Sequence, residues 1–422
     1  MKPYLRRLRQ EIAAAADSRE ISDDVMLCAL IDEALTRYGR EEQLSLSEKT
    51  ADRQELIDSF RGMDLLQPLL DDEAITEVMV NGPGSIFVEK NSELYCTGKH
   101  FEEKETLEDV IQVLAAGVNR VVNTSSPIAD LRMPDTGYRI NVVLPPAAPD
   151  GPVMTIRKFS REALTMERLL ELGSLSRDAA DFLGSAVRVG CNIFISGGTG
   201  SGKTSFLNAL SSYIPPEERV ITIEDSLELR LQGLPDLVRL ETRQANLEGE
   251  NAITIRDLIR TALRMRPNRI IVGEVRGAEA LDMLQAMNTG HRGSLSTGHA
   301  NSCRDMLSRL ETMALMADGK LPLAAVRAQI ASALDLIVHL GRTADRKRRV
   351  LAVEEVLDYE GDEIRTKPVF LYRRDQGLMP CTDQPENTDK WQEFYGASPY
   401  FDPEGRLHLP ENEGSSAYGG KL

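Results

Sequence analysis

A glycine-rich run in the middle of the chain constrains its fold more than any other feature. Residues Gly197 to Thr204 read G-G-T-G-S-G-K-T, which satisfies the pattern G-x-x-x-x-G-K-[ST]. An apolar, strand-like run from Cys191 to Ile195 leads into it, and Phe206, Leu207 and Leu210 follow at helical spacing. This order of strand, loop and helix distinguishes a phosphate-binding loop from a chance glycine-rich turn.

The same loop predicts how the phosphates of a nucleotide are bound. Its glycines let successive backbone amides converge on the α- and β-phosphates, with a helix N-terminus facing the anion. We expect Lys203 to reach the β- and γ-phosphates as a catalytic residue, and the Thr204 hydroxyl to bind Mg²⁺. The predicted cofactors are therefore ATP and Mg²⁺. The nucleotide-binding residues predicted in the loop are Gly197, Gly198, Thr199, Gly200, Ser201, Gly202, Lys203, Thr204 and Ser205.

Carboxylates end two of the strand-like runs that follow this loop. Glu224 and Asp225 close the first run, and Glu274 closes the next. At the carboxyl ends of parallel strands these groups would face the nucleotide. We assign Glu274 to polarising the attacking water, and Glu224 and Asp225 to Mg²⁺ or its waters. Gly273 is unusual, because many P-loop ATPases carry a magnesium-binding Asp at that position.

Two of the five histidines lie in the segment Thr289 to Asn301. If Gly293 to Thr297 forms a strand, His299 lies at its end near the γ-phosphate, whereas His291 precedes its start. The two side chains therefore need not share a role. No third ligand lies nearby in sequence, which argues against a metal site. We predict that His299 supports catalysis, with a purely structural role as the alternative.

Hydrophobic patterning divides the chain into five segments. Residues 1–60 have helical spacing without a strand pattern, and residues 61–160 predict a small α+β domain. Residues 161–190 are typical of a helical linker. Strand-like and helical runs alternate over residues 191–375, which predicts an α/β domain with a mostly parallel sheet. Residues 376–422 are rich in Pro, Asn, Asp, Glu and Gly and predict a loop-rich or disordered tail.

Charge and composition indicate which partners the protein can bind and in which compartment it works. The 422 residues carry 66 acidic and 50 basic side chains, a net charge of −16. This argues against broad, sequence-independent nucleic-acid binding, which requires a basic surface. The five cysteines are scattered without a C-x-x-C pair, so we expect free thiols in a reducing compartment. No stretch approaches the roughly 18 apolar residues of a transmembrane helix, so we expect a cytosolic protein.

Four motifs taken together resemble the type II/IV secretion system ATPase family, most closely its CpaF-like branch, which serves Flp/Tad pili. The motifs are the phosphate-binding loop, Thr222 to Asp225, Ile271 to Arg276, and Thr289 to Asn301. In that family a glycine commonly precedes the glutamate of the motif that corresponds to Ile271 to Arg276. Gly273, which precedes Glu274, therefore supports the resemblance. The resemblance extends over about residues 60–360.

The resemblance implies a hexameric ring of RecA-like C-terminal domains, each of which binds ATP together with a smaller, PAS-like N-terminal domain. In the family, arginines of the smaller domain bind the phosphates, and Arg132, Arg139 and Arg157 occupy the matching positions here. A guanidinium suits this role because it stays charged and offers a planar fork to phosphate oxygens. The family's L-P-D-G-x-R appears as Met133 to Arg139, one residue longer. Arg157 is therefore the preferred catalytic arginine.

Together these features predict a cytoplasmic, ATP-hydrolysing motor of a type II/IV secretion or Flp/Tad-type pilus assembly system. The resemblance also implies peripheral attachment to the inner membrane through a platform protein, and no direct contact with nucleic acid is expected. A RecA-like nucleic-acid translocase shares the same core and is the alternative. A P-loop kinase for a small acceptor, or a nucleotide-gated scaffold without turnover, has less support in the sequence.

Overall fold

The computed structural model of the chain divides into two compact units, residues 1–161 and 162–422. Among the helices built from the described residues, none is both long and apolar enough to span a bilayer. The residues that the structure describes are 2–18, 24–41, 44–60, 64–90, 93–118, 120–134, 136–158, 164–243, 245, 250–317, 319–381 and 384–410.

Three helices at the start of the first unit enclose a small apolar core. Leu5, Ile31 and Leu56 come from different helices and are fully buried in this core. The region predicted to be helical therefore has a core of its own, separate from that of the sheet described next. The helices are α1 (Pro3–Ser18), α2 (Asp24–Glu41) and α3 (Leu46–Phe60).

An antiparallel sheet and one long helix form the rest of the first unit. After a 3₁₀ turn (Asp64–Leu66), the elements are α4 (Gln67–Asp71), β1 (Ile75–Asn81), β2 (Ile86–Lys90), β3 (Glu93–Cys96), α5 (Lys104–Gly117), β4 (Ile128–Arg132), β5 (Arg139–Val143) and β6 (Val153–Arg157). The strand order is β3-β2-β1-β6-β5-β4. Val78 and Val80 on β1 share an apolar core with Leu107 and Ile111 on α5, so this helix covers one face of the sheet.

Strands and helices alternate through most of the second unit. Its elements are α6 (Met166–Glu171), α7 (Arg177–Arg188), β7 (Ile193–Gly197), α8 (Lys203–Ser211), β8 (Val220–Glu224), β9 (Leu237–Glu241), α9 (Ile255–Ala262), β10 (Arg269–Val272), α10 (Glu279–Asn288), β11 (Leu295–Gly298), α11 (Cys303–Ala317), α12 (Leu323–Ala333), β12 (Leu336–Arg342), β13 (Arg348–Glu360), β14 (Glu363–Arg373), β15 (Gly377–Pro380), α13 (Asp389–Tyr395), β16 (Tyr400–Phe401) and β17 (Leu407–His408).

The large sheet of this unit has the order β15-β14-β13-β12-β7-β11-β10-β8-β9. Its strands from β12 to β9 run parallel, and β13 to β15 are antiparallel. β7 is buried on both faces, because Ile193 and Ile195 pack into one core and Phe194 into another. Such a strand has apolar side chains on both faces. The predicted α/β, RecA-like fold is confirmed, and the carboxyl ends of its central strands meet at one edge of the sheet.

Two boundaries expected from the sequence are wrong. The helical linker predicted at 161–190 instead contributes α7 to the second unit, where Phe182 and Leu183 are fully buried in the main core. The tail predicted at 376–422 instead adds β15 to the large sheet and α13 to the core. Trp391 of α13 is 1% exposed. One large buried aromatic side chain can help to attach a segment that is otherwise polar. The average composition of residues 376–422 does not reveal such a residue. Residues 411–422 lie outside the described part of the chain.

Candidate nucleotide site

The phosphate-binding loop joins β7 to α8, as the sequence predicts. At Gly202, φ is +94°, which L side chains rarely adopt, and this residue provides no side-chain cap to α8. A Cβ atom at Gly197 would approach Leu340 O and Ser201 Oγ to 2.5 Å. Glycine is therefore required both by backbone conformation and by close packing. The result is a tight turn that presents the N-terminus of α8, where backbone amides bind anions.

Lys203 folds back over this loop and is 7% exposed. Its Nζ donates to the carbonyl oxygens of Gly197 and Gly198, each at 3.1 Å. Nζ also lies 3.3 Å from Nδ1 of His299. The cation predicted to reach the phosphates is thus held beside the loop by the first two carbonyl oxygens of the loop and by His299, which follows β11.

His299 connects Lys203 to Glu274. Its Nδ1 faces Lys203, and its Nε2 lies 2.8 Å from Oε1 of Glu274. Burial, followed by the nearby Lys203 cation, lowers the pKa of His299 below its ordinary value. The neutral ring can accept from Lys203 at Nδ1. Its Nε2 lies beside Oε1 of Glu274 without donating a hydrogen bond to it, so this buried oxygen has no hydrogen-bond partner in the structure. The structure therefore brings together three residues that the sequence placed separately.

Glu274 follows β10 and is held on its other side by Arg276. Nη2 of Arg276 donates to Oε2 of Glu274 at 2.6 Å, and its Nη1 lies 3.7 Å from Oδ2 of Asp225. The backbone amides of Arg276 and Gly277 both donate to Oε1 of Glu279. The hydrogen bond to Glu274 raises the pKa of Arg276 most, and the charges of Glu274 and Asp225 raise it further. Arg276 was not predicted as a site residue, although it lies within a motif that carried the resemblance, Ile271 to Arg276.

Glu224 ends β8 and is 3% exposed. Its Oε2 accepts from the amides of Glu228 and Leu229, at 2.7 and 2.8 Å. Its Oε1 is buried with no hydrogen-bond partner in the structure. Burial raises the pKa of this carboxyl group despite the two amide donors. An orphaned buried carboxylate oxygen fits a hard cation or one of its waters, since Mg²⁺ prefers oxygen ligands.

Strand register explains why glycine precedes Glu274. β10 and β8 are parallel neighbours, with Val272 paired to Ile223. A Cβ atom at Gly273 would lie 3.0 Å from Cγ of Glu224. The side chain of Glu224 thus occupies the space next to Gly273, where a larger residue would collide.

Among the described residues, no group of three or more His, Cys, Asp or Glu side chains is arranged to hold a metal ion by itself. Proteins commonly bind Mg²⁺ through one or two carboxylates together with substrate phosphates. Thr204 lies in the first turn of α8 and Glu224 ends β8, and with Asp225 they remain the predicted Mg²⁺ ligands; Oδ2 of Asp225 lies 3.7 Å from Nη1 of Arg276.

The three predicted arginines of the first unit lie in one row across its sheet. Arg132 pairs with Arg139, and Arg139 pairs with Arg157, on the neighbouring antiparallel strands β4, β5 and β6. Directly opposed residues of antiparallel strands project from the same face. Nε of Arg157 lies 3.8 Å from Oε1 of Glu77 on β1. We name these three residues the arginine row; their role toward phosphate stays a prediction. Asp135, in the adjoining motif, lies outside the described residues.

Two other histidines of the second unit, His291 and His339, make different contacts. Nδ1 of His291 is 3.2 Å from the carbonyl oxygen of Ala286, before β11 begins. His339 on β12 is buried, and its Nδ1 lies 2.7 Å from Oγ of Ser196. As the sequence indicates, His291 and His299 have different surroundings.

Comparison with known proteins adds independent information about this arrangement. The sequence model of the family described as "Type II/IV secretion system protein" matches residues 60–384. A putative conjugal transfer protein of Mycobacterium tuberculosis is 35% identical over 322 residues, which cover 75% of this chain and 90% of that protein. The type IV secretion system protein VirB11 of Brucella suis is 36% identical over 304 residues, which cover 66% and 84% respectively.

A solved structure is also similar to the chain. The VirB11 ATPase from the Brucella suis type IV secretion system, in complex with sulphate, aligns at 32% identity and a TM-score of 0.39. The alignment covers 71% of this chain and 94% of that one.

The family match includes every residue of the site described above. It spans the phosphate-binding loop, both carboxylate-bearing strand ends, His299 and the arginine row. Two sequence relatives that are more than 30% identical align over most of their own lengths. The chain belongs to the type II/IV secretion system protein family.

Proposed function

We propose that this protein hydrolyses ATP to ADP and phosphate as the motor of a secretion or pilus assembly machine. The observation that carries the proposal is the continuous line from Lys203 through His299 to Glu274 at the carboxyl edge of the sheet. Lys203 marks where phosphate charge is neutralised, and Glu274 provides a carboxylate for water. Nucleotide binding alone would not require the Glu274 carboxylate next to the histidine that contacts Lys203.

In the proposed reaction, the loop amides and Lys203 bind the β- and γ-phosphate oxygens and stabilise the charge that develops there. Glu274 orients the attacking water and accepts its proton. Arg276 holds Oε2 of Glu274, and Oε1, which is buried and has no hydrogen-bond partner, would receive the attacking water. Thr204 and Glu224, with Asp225, would hold Mg²⁺, which supplies further positive charge at the phosphates.

The proposal extends to the first unit and to the assembly. The arginine row would supply cations to the phosphates, with Arg157 as its catalytic member. We further propose a homohexamer that works at the cytoplasmic face of the inner membrane and acts on a membrane-embedded platform protein. Loss of the γ-phosphate would remove a ligand of the arginines and so convert hydrolysis into domain motion.

The alternative from the sequence, a RecA-like nucleic-acid translocase, is not supported by the comparisons. The matched family and the VirB11 relative are secretion system proteins, which favours a secretion or pilus motor. The net charge of −16 points the same way.

A glutamine at position 274 tests the proposal, because it keeps the shape of the side chain and removes its basicity. We expect Glu274→Gln to lower the rate of phosphate release by about 100-fold or more, the usual range for loss of a general base. Binding of ATP should persist. Lys203→Ala should impair both binding and hydrolysis, since it removes the cation at the phosphates.

Glu217→Gln is the matched control, because Glu217 is exposed and precedes the amino end of β8. It should leave both measurements unchanged. If the Glu274→Gln protein released phosphate at the wild-type rate, the assignment of Glu274 would be wrong. If the wild-type protein bound ATP without any turnover, the hydrolytic function itself would be excluded.

A further inference from the structure

The β12–β13 hairpin is an exposed basic segment in an acidic protein. Residues 341–349 read G-R-T-A-D-R-K-R-R, with five cations and one carboxylate, in a chain of net charge −16. The carboxylate, Asp345, is bound by both terminal nitrogens of Arg349 at 2.7 Å and shapes the turn. Arg342 and Arg348 form the last strand pair before the turn of the hairpin and are exposed.

This pair of arginines lies directly beside the phosphate-binding loop. Leu340 on β12 pairs with Gly197, the last residue of β7, so Arg342 extends past the point where the loop begins. Nη2 of Arg342 lies 3.4 Å from the carbonyl oxygen of Gly200. A Cβ atom at Gly202 would lie 3.6 Å from Cδ of Arg348. Both arginines therefore line the outer side of the loop.

The catalytic groups lie on the opposite side of the same loop. β7 is flanked by β12 on one side and by β11 on the other. His299 follows β11, and Glu274 follows β10, the next strand beyond it. The proposed γ-phosphate position is therefore on the β11 side. A nucleotide extended across the loop from that position would place its nucleoside end on the β12 side, beside the β12–β13 hairpin.

We propose that Arg342 and Arg348 bind the nucleoside end of the nucleotide and so contribute to its affinity and selectivity. The proposal rests on the ATP site described under Proposed function. A guanidinium offers a planar face on which a base can stack and donors that ribose hydroxyls can accept. The phosphates remain with the loop and Lys203. Arg342, whose terminal nitrogen reaches the loop, carries the larger share.

The test compares ligands with and without a nucleoside. Isothermal titration of the full-length protein with Mg²⁺ and either ADP or inorganic pyrophosphate measures the two affinities without turnover. Arg342→Ala should weaken ADP binding about 10-fold, equivalent to 1.4 kcal/mol. Pyrophosphate affinity should stay within about two-fold, because the loop supplies its ligands. Arg342→Lys should also lose most of the ADP affinity, since Lys keeps the charge but not the planar fork.

Lys347→Ala is the matched control, because it removes an exposed cation from the same hairpin. It should bind both ligands as the wild type does. Equal weakening of ADP and pyrophosphate by Arg342→Ala would overturn the proposal and assign Arg342 to the loop itself; unchanged affinity for both would overturn it as well. A wild-type protein that binds ADP but releases no phosphate from ATP contradicts the hydrolytic function alone, and the comparison of ligands still decides the role of Arg342.

Discussion

At the scale of single residues, Gly273 and Glu224 show how two neighbouring strands share one volume. The space beside Gly273 holds Cγ of Glu224, so a carboxylate comes to this place from β8 rather than from β10. From the sequence, Glu224 was predicted to bind Mg²⁺ or its waters, and Gly273 was noted where many ATPases have an Asp. Their contact with each other depends on strand register, which no local sequence pattern encodes. Arg276 was not predicted as a site residue, because an arginine considered without its neighbours is most often a solvated surface residue.

The protonation state of His299 leads to a prediction about pH. Burial and Lys203 lower its pKa, so the neutral ring that accepts from Lys203 persists as the pH falls through 6.5, the ordinary value. The rate of ATP hydrolysis should hold its plateau through that value and decline only at lower pH. His299→Gln places a non-titrating amide at the same position and should remove or displace this decline. Rates measured from about pH 5 to 8 span the range in which histidine titrates.

His291→Gln is the control for this pH profile, since His291 contacts a backbone carbonyl away from the catalytic line. Its profile should match the wild type. An acidic decline that is identical in the wild type and in His299→Gln would show that another group is responsible.

At the scale of elements, burial determined which parts of the fold could be predicted. Strands such as β7 and β8 are buried along their whole length, and their apolar runs are visible in the sequence. β9 and β14 are only partly buried and carry charged side chains, so no clear pattern marks them. α13 was missed because Trp391 is its only fully buried side chain among the described residues, and its other contacts include ion pairs such as that of Lys390 with Asp335. The ring of Trp391 stacks on Phe182 with centroids 5.6 Å apart.

Removal of the Trp391 side chain should destabilise the second unit. Its indole Nε1 donates to Oγ of Ser185 at 2.9 Å, and the ring is 1% exposed. We expect Trp391→Ala to lower the free energy of unfolding by about 3–5 kcal/mol, the usual cost of such a cavity. Trp391→Phe keeps an aromatic ring and should cost less. Denaturant unfolding followed by circular dichroism measures both.

Phe394→Ala is the matched control on the same helix, because Phe394 is 52% exposed. It should change the stability by no more than about 0.5 kcal/mol, as is typical of surface positions. Equal destabilisation by the two alanine variants would contradict the anchoring role of Trp391.

At the scale of the whole molecule, the residues proposed for catalysis are divided between the two units. The loop, Lys203, His299 and Glu274 belong to the second unit, and the arginine row belongs to the first. The sequence predicted the loop from its spacing alone, whereas the arginines could be proposed only through the family resemblance. No spacing rule joins Arg132, Arg139 and Arg157, because sheet pairing rather than sequence distance places them in a row.

Arg157 offers the test of this division. If the arginine row binds the phosphates as they react, Arg157→Ala should lower the turnover number on the order of 100-fold, comparable to the loss of one preorganised donor. Arg157→Lys should not restore the rate, because a lysine cannot form the bidentate contact.

Arg7→Ala, at a side chain that is 83% exposed on α1, is the control and should retain full activity. Steady-state phosphate release and ADP binding separate the two contributions, since a catalytic arginine affects turnover far more than affinity for ADP. A variant that loses ADP affinity and turnover equally would show instead that Arg157 acts in binding, and wild-type turnover in Arg157→Ala would remove the arginine row from the mechanism.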